Sequence, residues 1–118
     1  MTVAGAGIFG LWQALTLAYA GSRVCVLEAS GAPFTDAASR WAGAMLAPDC
    51  EAEIVDMGAG VRPAFPSNTP HIFTETNNTV IRVNGAYRHG FLLAPVLACM
   101  VRDFLTTGTR DPRMLTTL

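Results

Sequence analysis

Three glycines, Gly5, Gly7 and Gly10, stand in the pattern Gly-x-Gly-x-x-Gly, and a carboxylate, Glu28, follows further along the chain. Together they could hold a dinucleotide. Gly5 would permit a tight turn, Gly7 would let backbone approach a pyrophosphate, and Gly10 would let a helix lie close on a strand. An acidic side chain placed as Glu28 is could accept hydrogen bonds from a ribose diol. The motif by itself is common, so its weight depends on the elements around it. Thr2-Val3-Ala4 reads as a short β run, Leu11, Leu15 and Ala18 recur at helical spacing, and residues 23–27 read as a second strand ending at Glu28. That is one βαβ unit, with its helix N-terminus directed at the phosphates. A secretory signal is the competing reading, because Ala18-Tyr19-Ala20 looks like a cleavage site. Such a signal needs a basic n-region, and no Lys or Arg precedes Arg23. The glycine spacing, Gln13 and the following strand favour the βαβ unit.

The chain's 118 residues suffice for one small domain with a core, and are few for a two-domain enzyme. A formal net charge of −1 gives no electrostatic reason to expect nucleic acid or an anionic membrane as partner. Every basic residue is Arg, so neither a Schiff-base lysine nor a P-loop lysine is available; hydride or electron chemistry through a bound cofactor stays open. Cys25, Cys50 and Cys99 are dispersed and odd in number, which points to a reducing compartment. Cys25 is expected in a buried strand and Cys99 in a helix, both as small core residues. Two histidines and scattered cysteines build no metal site. Arg, Asp and Gly punctuate every apolar run before it reaches the length of a membrane span. The expectation is a soluble, cytoplasmic protein.

After Glu28, residues 29–36 carry the Ser, Gly, Pro and Thr of a loop. Residues 37–48 are rich in small side chains, and either let backbone lie against a flat ligand or form a short buried helix. Asp49, Glu51, Glu53 and Asp56 suit a solvated face better than a catalytic pair. Residues 62–70 are proline-rich and extended. Residues 71–74 and 79–83 read as a hairpin joined through Glu75-Thr76-Asn77-Asn78. Asn77-Asn78-Thr79 matches a glycosylation acceptor, taken as chance without a secretory signal. A last helix is expected over residues 92–105, with Leu93, Val96 or Leu97, Met100 and Phe104 on one face and Pro95 in its first turn. The tail, 106–118, lacks periodicity and is expected to fray.

Four blocks in this order resemble the FAD-dependent glycine and D-amino-acid oxidases, most of all the glycine oxidases of thiamine biosynthesis. They are Gly5-Ala6-Gly7-Ile8-Phe9-Gly10 with Glu28, then Gly43-Ala44-Met45-Leu46-Ala47-Pro48, then Gly60-Val61-Arg62-Pro63, and finally Gly85-Ala86-Tyr87-Arg88-His89-Gly90-Phe91-Leu92-Leu93-Ala94-Pro95. The first block is shared by many flavoproteins; the other three are more specific. The resemblance implies that Ile8 and Phe9 lie over the FAD pyrophosphate while Glu28 and Ala29 meet the adenosine ribose. It implies that Ala38 and Ser39 contact the cofactor, and that Gly43, Ala44 and Met45 line the isoalloxazine. The loop of Ala86, Tyr87, Arg88, His89, Gly90, Phe91 and Leu92 would bring backbone N–H groups to the flavin's pyrimidine edge, where the last helix's positive end favours negative charge. Arg62 resembles a carboxylate-binding arginine, suited by its planar fork to bidentate pairing, and Arg88 a second arginine on the substrate side.

The implied activity is oxidative deamination of glycine or another small amino acid, giving an imine or glyoxylate, ammonia and hydrogen peroxide. The resemblance also implies a large gap. In the family, the parts that meet around Met57 and Gly58 are separated by a central region longer than this whole chain, which supplies most of the substrate domain and several strands of the FAD-binding sheet. The expected fold is therefore α/β: residues 1–118 as one incomplete, truncated Rossmann-like FAD-binding domain. It would hold a small, mostly parallel sheet, a hairpin and covering helices. Residues 1–56 carry the βαβ unit and flavin loop, 57–70 a junction, 71–105 the hairpin and helix, and 106–118 the tail. The expected strand order is second, first, last. The alternative is an internally deleted, non-catalytic remnant or nucleotide-binding module, or a half-enzyme. Expected partners are a small amino acid and either a second copy or a completing chain.

Overall fold

Short β-favouring runs alternate with two apolar helical stretches, and the elements follow that alternation. A computed structural model describes residues 1–33, 35–41, 58–75, 79–112 and 115–117. Strand β1 (Thr2–Ala4) pairs in parallel with β2 (Cys25–Leu27), Val3 opposite Val26, and helix α1 (Ile8–Tyr19) makes the crossover. Gly21, at φ 86°, adopts the left-handed conformation just beyond the Ala20 cap and closes the helix, its N–H donating to the Ala18 carbonyl. A single 3₁₀ turn follows at Ala38–Trp41.

The hairpin forms as expected: β3 (His71–Thr74) pairs antiparallel with β4 (Ile81–Asn84), Ile72 opposite Val83. The tail departs from expectation. Residues 115–117 form β5 (Leu115–Thr117), which pairs in parallel with β3 on the edge that β4 leaves open. An unperiodic sequence gave no hint of it, because three residues of strand are held by backbone pairing rather than by a side-chain pattern. The expected order of second, first, last is also not what forms. Among the described residues there are two sheets, β1-β2 and β4-β3-β5. β3 takes both β4 and β5 as partners, so β1 and β4 each keep an edge that no described strand pairs.

Helix α2 (Gly90–Thr107) lays Leu97, Val101 and Phe104 against Ile72, with Leu93, Met100, Ile81, Val83 and Phe9 around them. Leu97, not Val96, is the inward residue; Val96 is 55% exposed. α2 begins before Leu92, so Pro95 lies beyond the first turn and cannot donate to the Phe91 carbonyl. Helix α1 packs along α2 and against β1 and β2, and its Phe9 reaches the cluster around Ile72. At 18 residues and a mean hydropathy of 1.4, α2 is long and apolar enough to cross a membrane, by length and composition only. It carries five buried residues, among them Ala94 and Ala98, while Phe91, Leu92, Val96 and Leu105 are exposed. Cys25 is exposed rather than buried, as are Val26 and Leu27, because the faces of β2 are left uncovered. Cys99 is half-buried. The expectations for Asp49 to Asp56, for Cys50 and for Asn77 lie outside the described residues.

Candidate functional site

The glycine turn is shaped by backbone geometry that other residues would disturb. Gly5 sits at φ 95°, in the left-handed region that a side chain disfavours. A Cβ on Gly10 would run into the Gly5 carbonyl oxygen, so the close approach of α1 to the turn requires glycine there. Gly7 is the N-cap of α1 and offers no side-chain cap. Instead, the Ile8 N–H donates to Ser39 Oγ at 3.2 Å, which ties the helix start to the 3₁₀ turn. The Glu28 carboxylate closes the turn from the other side: it accepts from the Ala6 N–H at 2.6 Å and from the Ser30 N–H at 3.2 Å. These bonds, the one from Ala6 foremost, hold its pKa below the ordinary 4.5, so the group is ionised at neutral pH. The first turn of α1 thus presents backbone N–H groups and a positive dipole end to the space beside it.

That space is walled on its far side by the segment before β4's connection to α2. The Tyr87 N–H donates to the Pro63 carbonyl, Ala64 bridges to Ala86, and the His89 N–H returns to the Ala86 carbonyl. Gly85 is at φ 89°, with the Phe65 ring where a Cβ would stand, and Tyr87 is itself in the left-handed region at φ 46°. These ties carry Arg62 to the same side of the molecule as Arg88. The result is a cavity of about 350 Å³ bounded by the glycine turn, the 3₁₀ turn, and the Arg62 and Arg88 segments. Arg88 lies over the Tyr87 ring, 5.2 Å from its centroid. Neither Arg62 nor Arg88 is in an ion pair among the described residues. Two guanidinium groups and a helix N-terminus around one apolar-walled hollow can hold anions, a phosphate at the turn and a carboxylate at the arginines.

Comparison with known proteins found similarity over about half of the chain. Over 62 residues, 52% of its length, the chain is 48% identical to a putative thiamine biosynthesis oxidoreductase ThiO from Rhizobium etli. The chain is similar to ThiO proteins. Two bifunctional ThiO/ThiG proteins, from Trichormus variabilis and a Nostoc species, match over 53 residues, 45% of the chain, at 38% and 36% identity. The matched stretches are 18% of the Rhizobium protein and 8% of each bifunctional one, so the match covers less than a fifth of the length of each of these relatives. No protein-family model matches, and no solved structure does.

Of the residues singled out in the sequence, Gly5, Gly7, Ile8, Phe9 and Gly10 line the cavity from the N-terminal half. Ala38 and Ser39 line it from the 3₁₀ turn, and Arg62, Ala86, Tyr87, Arg88, Gly90 and Phe91 from the C-terminal half. Glu28, Ala29, His89 and Leu92 do not line it; Glu28 instead braces the turn, and Leu92 is 72% exposed on α2. Gly43, Ala44 and Met45 lie outside the described residues. Sequence reasoning missed Ala4, Ala37, Pro63, Val83 and Asn84, which also form the wall. Asn84 and Val83 had a signal, since they end the strand that leads into the arginine loop. It also missed the Ala6 N–H as a partner of Glu28, a bond that follows from β2 ending beside the turn.

Proposed function

We propose that this cavity takes the pyrophosphate region of FAD, and that the chain derives from an oxidase acting on glycine or another small amino acid, linked to thiazole formation in thiamine biosynthesis. The observation that carries the reading is that one cavity joins the glycine turn to two arginines from the other end of the chain that have no ion-pair partner among the described residues. The residues fit the cofactor: the Gly10 position tolerates no Cβ, and the first turn of α1 is open to a phosphate. The hydroxyl of Ser39 fixes the Ile8 end of that turn. When bound, FAD supplies the two-electron acceptor for oxidising an amine to an imine. Arg62 and Arg88 bind and orient the substrate carboxylate, and their fixed charge keeps it ionised. No side-chain base is required if the amine binds neutral.

A second reading rests on size. A cavity of about 350 Å³ lies at the small end of ligand sites and holds part of a dinucleotide rather than all of it. The matched stretch is 18% of the Rhizobium relative. Both facts favour a nucleotide-binding module or a half-enzyme completed by another polypeptide over an oxidase that works alone. Titration of the purified chain with FAD, followed by quenching of flavin fluorescence, tests the site, and peroxide release from glycine tests the activity. Saturable, stoichiometric FAD binding that weakens in Gly10→Ala is the expected result. A chain that takes up neither FAD nor ADP overturns the site, and binding without peroxide selects the second reading.

A further inference from the structure

We propose that the cleft between β1 and β4 binds an extended, uncharged segment of a different polypeptide as an added β-strand, joining the two sheets into one. The cleft is about 770 Å³ and is lined by all of β1 and β4 but by no residue of β2 or β3. It therefore opens on the edges that these strands leave unpaired among the described residues. The backbone phase of each strand agrees. Gly5 donates to Leu27 and Cys25 to Met1, so odd-numbered residues of β1 face β2 and the backbone groups of Thr2 and Ala4 face outward. The Glu75 N–H donates to the Val80 carbonyl across the hairpin, so by alternation Ile81 and Val83 turn their N–H and C=O groups away from β3. All four of these residues line the cleft.

Independent of the edges, the cleft also has a polar group in need of a partner. Gln13 on α1 lines it and is 7% exposed, yet both its Nε2 and its Oε1 are buried without a hydrogen bond. A side-chain amide that lacks both a donor and an acceptor is complementary to a peptide unit, which offers one of each. Phe9, Leu17, Val101 and Leu105 add apolar wall, and the one charged side chain on the lining, Arg82, is neutralised by Glu75 at 2.6 Å. These surroundings suit small and β-branched side chains. A second copy is disfavoured by topology: a strand that enters between two edges needs both its own edges free, and every described strand already uses at least one. The inserted strand would add main-chain pairing on both sides, the recognition mode of strand addition.

The test uses the ¹⁵N-labelled chain without FAD, so its outcome is separate from the flavin reading. The probe is the capped hexapeptide Thr-Val-Val-Ala-Val-Thr, with a version N-methylated at every residue, so that neither of its edges can donate, as control. Amide hydrogen exchange should slow saturably at Thr2, Ala4, Ile81 and Val83 with the first peptide and not with the second. In Gln13→Leu the affinity for the peptide should fall at least about fivefold, the value of one of the two hydrogen bonds. The proposal is overturned by absence of protection on either edge, by equal protection from the N-methylated peptide, or by unchanged affinity in Gln13→Leu. Protection that rises with protein concentration alone also overturns it, in favour of a second copy. The methylated peptide keeps the test decisive if Gln13→Leu does not fold.

Discussion

Replacing Gly10 by alanine isolates the one contact that defines the glycine turn. The added Cβ would overlap the Gly5 carbonyl oxygen, stand 2.8 Å from the Gly5 carbonyl carbon and touch Val3 Cγ1 at 3.5 Å. Its first obstacles are backbone atoms, so no side chain can swing away, and α1 must retreat from the turn. Overpacking of this kind costs about 1–3 kcal/mol, and rigid backbone puts the case in the upper part of that range. Against it stands the gain from alanine over glycine inside a helix, about 1 kcal/mol. The net expectation is a loss of about 1–2 kcal/mol, or about 4–8 °C in Tm for a domain of this size. Urea unfolding followed by Trp12 and Trp41 fluorescence measures it. Gly90→Ala is the control, because a Cβ there meets only Ile8 Cγ2 at an ordinary 3.6 Å; it should change stability by less than about 0.5 kcal/mol. FAD titration of the same variant should show weaker binding, since Gly5 itself must move. A Gly10→Ala chain as stable as the parent, with FAD uptake unchanged, would refute the close approach as the reason for glycine.

Glu28 makes stability depend on pH in a defined direction. Its folded pKa is lowered by the Ala6 and Ser30 N–H bonds, so its contribution is fully present above 4.5 and is lost as pH falls through the lower folded value. Thermal melts across pH 2–7 should therefore show Glu28→Gln less stable than the parent near neutrality and less sensitive to acid, the two curves converging at the low end; parallel curves would deny the linkage. Leu97→Ala removes a fully buried side chain against Ile72 and should cost about 2–5 kcal/mol, whereas Val96→Ala, one residue away and 55% exposed, should cost less than about 1 kcal/mol. Equal losses in urea unfolding would mean that α2 is rotated about its axis. Brief alkylation of the native chain and peptide mapping should find Cys25 modified ahead of Cys99, in line with their exposure.

The parts that were legible in the sequence are those encoded by local chemistry. Glycine spacing marks the turn because a left-handed φ at Gly5 and the absence of a Cβ at Gly10 leave few other residues possible. Helical spacing marks α2 and its inward stripe, though Val96 and Leu97 could be told apart only by the packing of Ile72. Pairing between distant strands was not legible. Nothing in residues 115–117 or in β3 announces their union, because a three-residue strand carries too little side-chain pattern to fix a partner. The same shortage hid the splitting of the sheet: β1 and β4 each read as strands, and only three-dimensional placement shows that they face one another across a cleft. Arg62 was visible through resemblance alone. Its arrival at the cavity depends on the Pro63 and Ala64 backbone bonds to the Arg88 loop, which no spacing rule foretells.

The cavity and the cleft are neighbours with a common partition. Ala4, Phe9, Gly10, Val83 and Asn84 line both. On one side of that partition are the glycine turn and the arginines; on the other are Gln13 and the open strand edges. A strand bound in the cleft would fix Val83 and Asn84, and these residues lead directly into Gly85, Ala86 and the loop that carries Arg88. A ligand held at the glycine turn would in turn fix Ala4 and Gly10, which bound the cleft. Whatever occupies one space must change the freedom of the other's walls, and such coupling is reciprocal in binding free energy. A sheet left in two pieces is therefore a matter for the proposed cofactor site as well as for stability: the backbone that lacks a strand partner among the described residues is the backbone that shapes the glycine turn.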